Sequence, residues 1–574
     1  MGTKSSTAPW TLWPANRLAA LFDFAASSNR RAVLLLALVS LIAFLPGIFQ
    51  IPPVDRDEAR FAQATKQMIE TGDYVDIRFQ DEARYKKPVG IYWLQAAVVK
   101  TGEALGISDA RTSISLYRMP SLVGAVGAVL ATYWCALAFV SRRGAALAAL
   151  MMAGSTLLGV EARLAKTDAM LLFTVVAAMG ALARAYLAQH DGKVTRLRWI
   201  EPAVFWTALA GGILLKGPLI VMIVATAAAT LAILDRSARW LKALRPLPGL
   251  AWLVLLVLPW FLAIYARAGS SFFAGSIGHD LLGKVASGQE AHGAPPGLYF
   301  ILFFATFFPA SMLAGLAAPA VWAVRREPAA RFLLAWLVPS WIVFELIVTK
   351  LPHYVLPLYP AIAILIAAAV ETRVLSQRRW LVRGVMWWFL VPIIVIVVMI
   401  IAAIMLARDP VVLAWPFLAA AIVCGLLAWQ LYEEDGAERA LTRAIASSVL
   451  MGIAIYALIV PALGPLFPSV TLAGVLRQST CAHPLAASAG FGEPSLVFLA
   501  GTATRLTDAN GAADFLHEGG CRFAFIESRQ EHAFALRAEA IGLHYERGPR
   551  IEAFNLSIGQ PITIAVFQSA EGAP

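Results

Sequence analysis

Thirteen apolar runs constrain this chain more than any other feature. Each lies near the roughly 20 residues that a helix needs to cross a hydrocarbon core of about 30 Å. They fall at 32–50, 115–140, 144–161, 168–189, 201–216, 217–234, 247–266, 297–324, 332–349, 354–372, 384–407, 412–432 and 441–463. Only Lys216-Gly217-Pro218 divides the fifth from the sixth. Lipid offers no partner to a backbone N–H or C=O, so runs of this length dictate helices that pair their own backbone. Composition agrees: of 574 residues, 59% are apolar and 14% charged, against roughly 45–50% and 25% in soluble domains. That excludes a disordered chain and a conventional cytosolic enzyme. The four cysteines are too few for a disulfide scaffold and lack zinc-finger spacing. The expected fold is a polytopic α-helical membrane protein of about 13 transmembrane helices with a small C-terminal α/β domain.

Orientation follows from the short loops. Lys and Arg cluster at Arg142 and Arg143, at Lys193, Arg196 and Arg198, at Arg236, Arg239, Lys242 and Arg245, and at Arg325, Arg326 and Arg331. They recur at Arg373, Arg378, Arg379 and Arg383, and at Arg439 and Arg443. Thirteen crossings put all of them on the side of Lys4, Arg17, Arg30 and Arg31, which the positive-inside rule makes cytoplasmic. The net charge of +11 then reflects topology and anionic lipid rather than nucleic acid, and no nucleic-acid partner is expected. Residues 1–31 read as a cytoplasmic tail. The run 32–50 is long for a signal peptide and lacks an Ala-x-Ala site, so it reads as an uncleaved first helix. Residues 32–463 form the membrane domain, and 464–574 an outer domain.

Within that outer domain, Ser495–Ala500, Arg522–Ile526 and Pro561–Phe567 read as strands, with helices at Ala512–Glu518 and Gln530–Ile541. Cys481 and Cys521 lie there, in an oxidising compartment. A disulfide between them is the favoured expectation, two free thiols the alternative. The other long outer segment is the first loop, 51–114, in which 57–71 and 88–105 have helical spacing and Pro88 supplies a start signal.

The informative residues are charges on the outer side. Asp55, Asp57 and Glu58 follow the first span directly, a cluster that reads either as solvated helix-start acids or as a catalytic or metal-binding group at a cavity mouth. Lys86 and Lys87 suit either a membrane surface or a phosphate. The second outer loop holds Glu161, Arg163, Lys166 and Asp168. Lys216 stands between two spans, and His279 and His292 lie in the fourth outer loop without zinc spacing. Lys350-Leu351-Pro352-His353-Tyr354 separates the ninth and tenth spans, and Glu345, inside the ninth, is expected to face protein or water. Each has a bland explanation, but together they place charges from five outer loops on one face of the membrane.

The order Asp57-Glu58-Ala59-Arg60-Phe61-Ala62, then Lys87-Pro88-Val89-Gly90-Ile91-Tyr92-Trp93, resembles the protein O-mannosyltransferase-like GT-C membrane glycosyltransferases. Further matches are Ala162–Asp168, Leu214-Leu215-Lys216-Gly217-Pro218, Pro259-Trp260, His279 through His292, and Thr349–Pro357. Within that family, the lipid A aminoarabinose transferases are the nearest in pattern. Lys86 departs from it, standing where relatives often carry an acid or an apolar residue.

The resemblance implies an inverting enzyme of the inner bacterial membrane that takes 4-amino-4-deoxy-L-arabinose from undecaprenyl phosphate. It would attach the sugar to a lipid A phosphate at the periplasmic face and so confer resistance to polymyxin. It implies Asp57 as the essential acid, with Glu58 and Asp55 near enough to exchange roles and Asp168 as the second acidic position. Arg60, Lys86, Lys87, Lys350 and Tyr354 would hold the donor's lipid phosphate. No cofactor is obligatory; a divalent metal, Zn or Mg, would have Glu82 and His279 as ligands. The partners implied are the lipid-linked sugar, lipid A and membrane lipids. Two other functions fit the same charges: transfer of a lipid-linked sugar to protein Ser/Thr or another glycan, and transport of such a lipid.

Overall fold

The computed structural model describes residues 13–190, 198–276, 278, 293–406 and 411–570, with side chains from residue 20 onward. Each of the thirteen apolar stretches contains a helix. Among the described residues, eight helices are long and apolar enough to cross a membrane: Ile114–Ala136, Asp168–His190, Pro246–Ala268, Pro328–Leu346, Pro352–Glu371, Arg379–Met405, Val412–Gln430 and Tyr432–Ala462. Leu298–Thr306 and Ser311–Ala323, bent by 118°, make a ninth if counted as one. The helices Asn29–Phe44, Ile200–Lys216 and Leu219–Leu234 are shorter, at 16, 17 and 16 residues. The stretch 144–161 is broken into Arg142–Ala153 and Thr156–Glu161. The protein is a multi-pass helical membrane protein.

Burial sorts the helices. Asp168–His190 keeps 78% of its apolar window inside the protein and Arg379–Met405 only 11%, so the first is core and the second a lipid-facing wall. The core helix crosses Ile114–Ala136 at Gly124, where a Cβ would stand 2.6 Å from the backbone nitrogen of Met170. Only a glycine allows this approach, and it sets the position of Asp168 two residues before Met170. At the basic end of the bundle, Arg142 donates to the Asn29 side chain at 3.0 Å, and Arg143 pairs with Asp23 and Glu438. Glu345 does face protein, accepting from the Gly297 N–H at 2.8 Å.

The segment between the first two apolar stretches folds into the helix Asp57–Thr71, a two-stranded hairpin of β1 (Arg78–Phe79) and β2 (Glu82–Ala83), and the helix Gly90–Ala104. The C-terminal region forms a five-stranded sheet in the order β4-β3-β5-β7-β6, with β3 Leu485–Ala489, β4 Arg505–Thr507, β5 Arg522–Glu527, β6 Tyr545–Asn555 and β7 Gln560–Ser569. Strands β4, β3 and β5 are parallel, and β7 is antiparallel to its neighbours β5 and β6, so β6 runs in the direction of the first three. Alternation along β5 puts Phe523 and Phe525 against Leu472 and Leu496 on one face. Ala524 and Ile526 face Phe515 and Phe534 on the other. Cys481 and Cys521 form a disulfide.

One expectation is overturned here. The run 495–500 is not a strand but part of the helix Pro494–Ala500. A short apolar run reads equally well as either, and Pro494 at the first helical position with Gly501 beyond the end are helix punctuation. The strand actually present, β3, is Leu-Ala-Ala-Ser-Ala, whose residues have little intrinsic preference for sheet.

The C-terminal region sits on this first long loop. Lys66 Nζ donates to the Phe498 carbonyl at 3.0 Å, Gln63 to Thr502 at 2.9 Å, and Gln80 to the carbonyls of Thr502 and Thr504. Phe498 meets Tyr117 edge-on with ring centroids 5.3 Å apart. The loop is held between the bundle and this domain.

Candidate active site

A cavity of about 240 Å³ opens where the start of helix Asp57–Thr71, the segment Arg84–Lys87, the turn before Asp168, the end of helix Ile200–Lys216 and the turn Thr349–Tyr354 converge. Six cationic side chains line it, Arg56, Arg84, Lys86, Lys87, Lys166 and Lys216, against four acids, Asp55, Asp57, Glu58 and Asp168. The excess of positive charge suits an anionic ligand.

The three acids after the first span have separate fates. Glu58 is 1% exposed and paired face to face with Arg118, Nε to Oε1 and Nη2 to Oε2 both at 2.8 Å. It also accepts from the N–H groups of Val54 at 2.9 Å and Ala165 at 2.8 Å. Both oxygens are fully used, so Glu58 has no lone pair left for a substrate. Asp55 is half-buried and accepts from the Ser495 N–H at 3.1 Å, at the start of helix Pro494–Ala500. It is a docking contact for the C-terminal domain, as is Arg56, which donates to the Ser557 carbonyl. Arg56 adopts φ 65° to do so, a left-handed conformation uncommon outside glycine. Asp57 is different. It is exposed at the first position of its helix, lines the cavity, and makes no ion pair or side-chain hydrogen bond among the described residues.

Burial pushes the Asp55 carboxyl up from 3.8 to about 6, with the Glu493 charge adding to it. The folded protein therefore holds this proton while the unfolded chain loses it. The site's contribution to stability is complete below pH about 4, falls as pH rises to about 6, and is level above that. The expected result is a decline in melting temperature across that window that Asp55→Asn abolishes, since asparagine still accepts from Ser495. Parallel melting curves for the two proteins from pH 4 to 7 check this; identical pH profiles would show that Asp55 does not titrate there.

Beneath the cavity lies a cluster that sequence reasoning did not assemble. Asp168 pairs with Lys216 and lies 4.0 Å from Lys166. Lys166 also reaches Glu161 at 3.2 Å. His353 stands between the acids, Nδ1 3.6 Å from Glu161 and Nε2 3.7 Å from Asp168. Although burial opposes its charge, the carboxylates of Glu161 and Asp168 hold the Lys166 ammonium above the usual lysine range. Glu161, Asp168 and His353 bring ligand atoms within 4.8 Å of one another, a spacing a metal could use. Two lysines already balance the two carboxylates, however, and a divalent ion would stand against both ammonium groups. The donor set fits an internal ion network better than a metal.

Other expected residues divide cleanly. Lys86, Lys87 and Tyr354 line the cavity, with Lys216 5.4 Å from the Tyr354 ring centre. Arg60 does not line it. Lys350 is also elsewhere, 5% exposed, donating to the carbonyls of Glu345 at 2.8 Å and Ile347 at 2.6 Å. It caps the end of helix Pro328–Leu346, as cations at helix C-termini do, which corrects its expected place beside the phosphate. Glu82 is exposed on β2 outside the cavity, so it is no metal ligand with the cluster found here; His279 lies outside the described residues. Arg84 is one of the first loop's charges but not among the expected site residues: it lines the cavity, is 8% exposed, and lies over the Phe61 ring at 4.9 Å.

Residues 34–271 match the family described as dolichyl-phosphate-mannose-protein mannosyltransferase. Two curated relatives are undecaprenyl phosphate-α-4-amino-4-deoxy-L-arabinose arabinosyl transferases. That of Pectobacterium carotovorum is 27% identical over 61% of this chain and 62% of its own. That of Pseudomonas aeruginosa is 29% identical over 58% and 59%. The match thus spans about three fifths of the length of these relatives. Among solved structures, ArnT from Cupriavidus metallidurans superimposes with a TM-score of 0.71 at 15% identity, covering 93% of this chain and 97% of that one. The same protein bound to undecaprenyl phosphate gives 0.70 at 17% identity, covering 94% and 98%. By sequence the chain is similar to the aminoarabinose transferases, and by fold to ArnT, with the pattern of the protein mannosyltransferase family across its first half.

Proposed function

We propose that the protein is an inverting GT-C glycosyltransferase of the inner bacterial membrane. It takes 4-amino-4-deoxy-L-arabinose from an undecaprenyl-phosphate donor and places it on a lipid A phosphate, lowering the negative charge that draws polymyxin and other cationic peptides. The observation that carries this is the cationic cavity under the first outer loop, lined by one acid, Asp57, that is unpaired among the described residues. The fold shared with a protein solved with undecaprenyl phosphate supports it. Thirteen crossings, with residues 1–31 in the cytoplasm and 464–574 in the periplasm, put this cavity at the periplasmic face.

The chemistry is a direct displacement. An acceptor phosphate oxygen attacks the anomeric carbon as the bond to the donor phosphate oxygen breaks, and undecaprenyl phosphate departs with the electron pair. The nucleophile is already anionic, so no proton need be removed. Lys86, Lys87 and Tyr354 meet the donor phosphate and the charge that grows on it. Asp57 faces the sugar, where a carboxylate stabilises oxocarbenium-like charge and pairs with the sugar ammonium. Asp168 stays locked to Lys216 and His353 and fixes the cavity floor. Glu58 and Asp55 act through position, holding the loop to the bundle and to the C-terminal domain.

The match to protein mannosyltransferases over residues 34–271 favours a second reading, with a protein hydroxyl or another glycan as acceptor. Asp57 would then have to take the hydroxyl proton. Purified protein given the lipid-linked aminoarabinose and lipid A separates the two by mass spectrometry. The expected product is lipid A heavier by one aminoarabinose. Sugar on a peptide or glycan alone would overturn the acceptor, and no transfer to any acceptor would leave a lipid transporter.

A further inference from the structure

Among the described residues, Arg84 is a buried cation without an anion. Its residue is 8% exposed, and its Nε is buried with no hydrogen-bond partner. No ion pair or side-chain hydrogen bond reaches any of its nitrogens among the described residues. The other cations here are committed where their contacts are described: Lys216 and Lys166 to the acids of the floor, and Arg56 to a carbonyl. Arg84 is held by its backbone, whose N–H donates to the Ile77 carbonyl at 2.7 Å, and by the Phe61 ring beneath its guanidinium. A guanidinium stacked on an aromatic ring keeps its N–H edge free for an in-plane acceptor.

Burying a cation with no counter-charge is costly. A fold that keeps one at a cavity wall recovers that cost when an anion enters. The planar fork of arginine matches phosphate oxygens two at a time, unlike the point charge of lysine. We infer that Arg84 is the guanidinium that binds the phosphate of a lipid substrate in this cavity, in the place that sequence resemblance gave to Arg60. The inference rests on the cavity being the site of lipid-phosphate chemistry. It adds a recognition element between β2 and the Lys86-Lys87 pair, with Asp57 lining the same cavity.

Two phosphates could be the partner, that of undecaprenyl phosphate or that of lipid A, and titrations of each into the detergent-solubilised full-length protein distinguish them. Wild type, Arg84→Lys and Arg84→Gln are compared, with melting temperature as the check on folding. The expected result is binding of one lipid weakened about tenfold or more in Arg84→Gln, partly restored in Arg84→Lys, with the other lipid unaffected. A parallel rise in KM for that substrate, larger than any fall in kcat, would be seen in turnover. Equal binding of both lipids by wild type and a well-folded Arg84→Gln overturns the assignment of Arg84 alone. Failure of the wild type to bind either lipid overturns the lipid-phosphate reading of the cavity, and the inference with it.

Discussion

Glu58→Ala is expected to yield little folded protein, and Arg118→Ala the same. Arg118 is 0% exposed and uses all five of its N–H groups: one to each Glu58 oxygen, two to the carbonyls of Ile48 and Ile51, and one to that of Pro52. Glu58 returns four acceptances, two from Arg118 and two from backbone N–H groups. Removing either partner strands a buried charge together with backbone groups that lose their mates, a loss of about 3–5 kcal/mol. That is a large share of the roughly 5–15 kcal/mol that typically holds a domain together. Glu58→Gln should also destabilise, because its amide NH2 would face donors on every side. The double alanine variant should be less damaged than the sum of the singles, by about 2 kcal/mol or more, since each side chain then no longer strands the other. Melting curves in detergent measure all four. A Glu58→Ala protein that melts like wild type but does not turn over would return Glu58 to the chemistry.

This pair marks where sequence reading stopped. The helices were legible because lipid leaves the backbone one solution, and the boundaries of 57–71 came directly from spacing and a helix-start acid. The set of charged outer segments was legible too, because a charge beside a bilayer is costly enough to need a reason. Which charges pair was not. Glu58 and Arg118 are 60 residues apart in the chain, and His353 meets acids of a loop nearly 200 positions earlier, so neither contact leaves a local pattern. A signal for Arg118 did exist. It lies four residues into an apolar span, and the cost argument that singled out Glu345 applies to it equally. Lys350 and Arg84 show the converse. Both are lysine or arginine beside the expected site, and only the fold tells that one is spent on helix carbonyls while the other has no anion among the described residues.

Asp57→Asn should abolish turnover while leaving the fold intact. The side chain is exposed and makes no ion pair or side-chain hydrogen bond among the described residues, so its melting temperature should stay within the scatter expected of surface substitutions, about 0.5 kcal/mol. The rate should fall about 10²–10³-fold, the range for losing one preorganised electrostatic group from a transition state. Because the amide keeps the shape and loses the charge, the fall belongs in kcat rather than in donor KM. The choice of acceptor then separates the two roles. A phosphate oxygen needs no deprotonation by the enzyme, so with lipid A the loss reflects only the missing charge at the sugar. If Asp57 were a base for a hydroxyl, the loss would fall on transfer to a hydroxyl acceptor. Retention of more than about a third of wild-type turnover by Asp57→Asn would sink both roles. The essential carboxylate would then have to be sought in the locked cluster of Glu161 and Asp168.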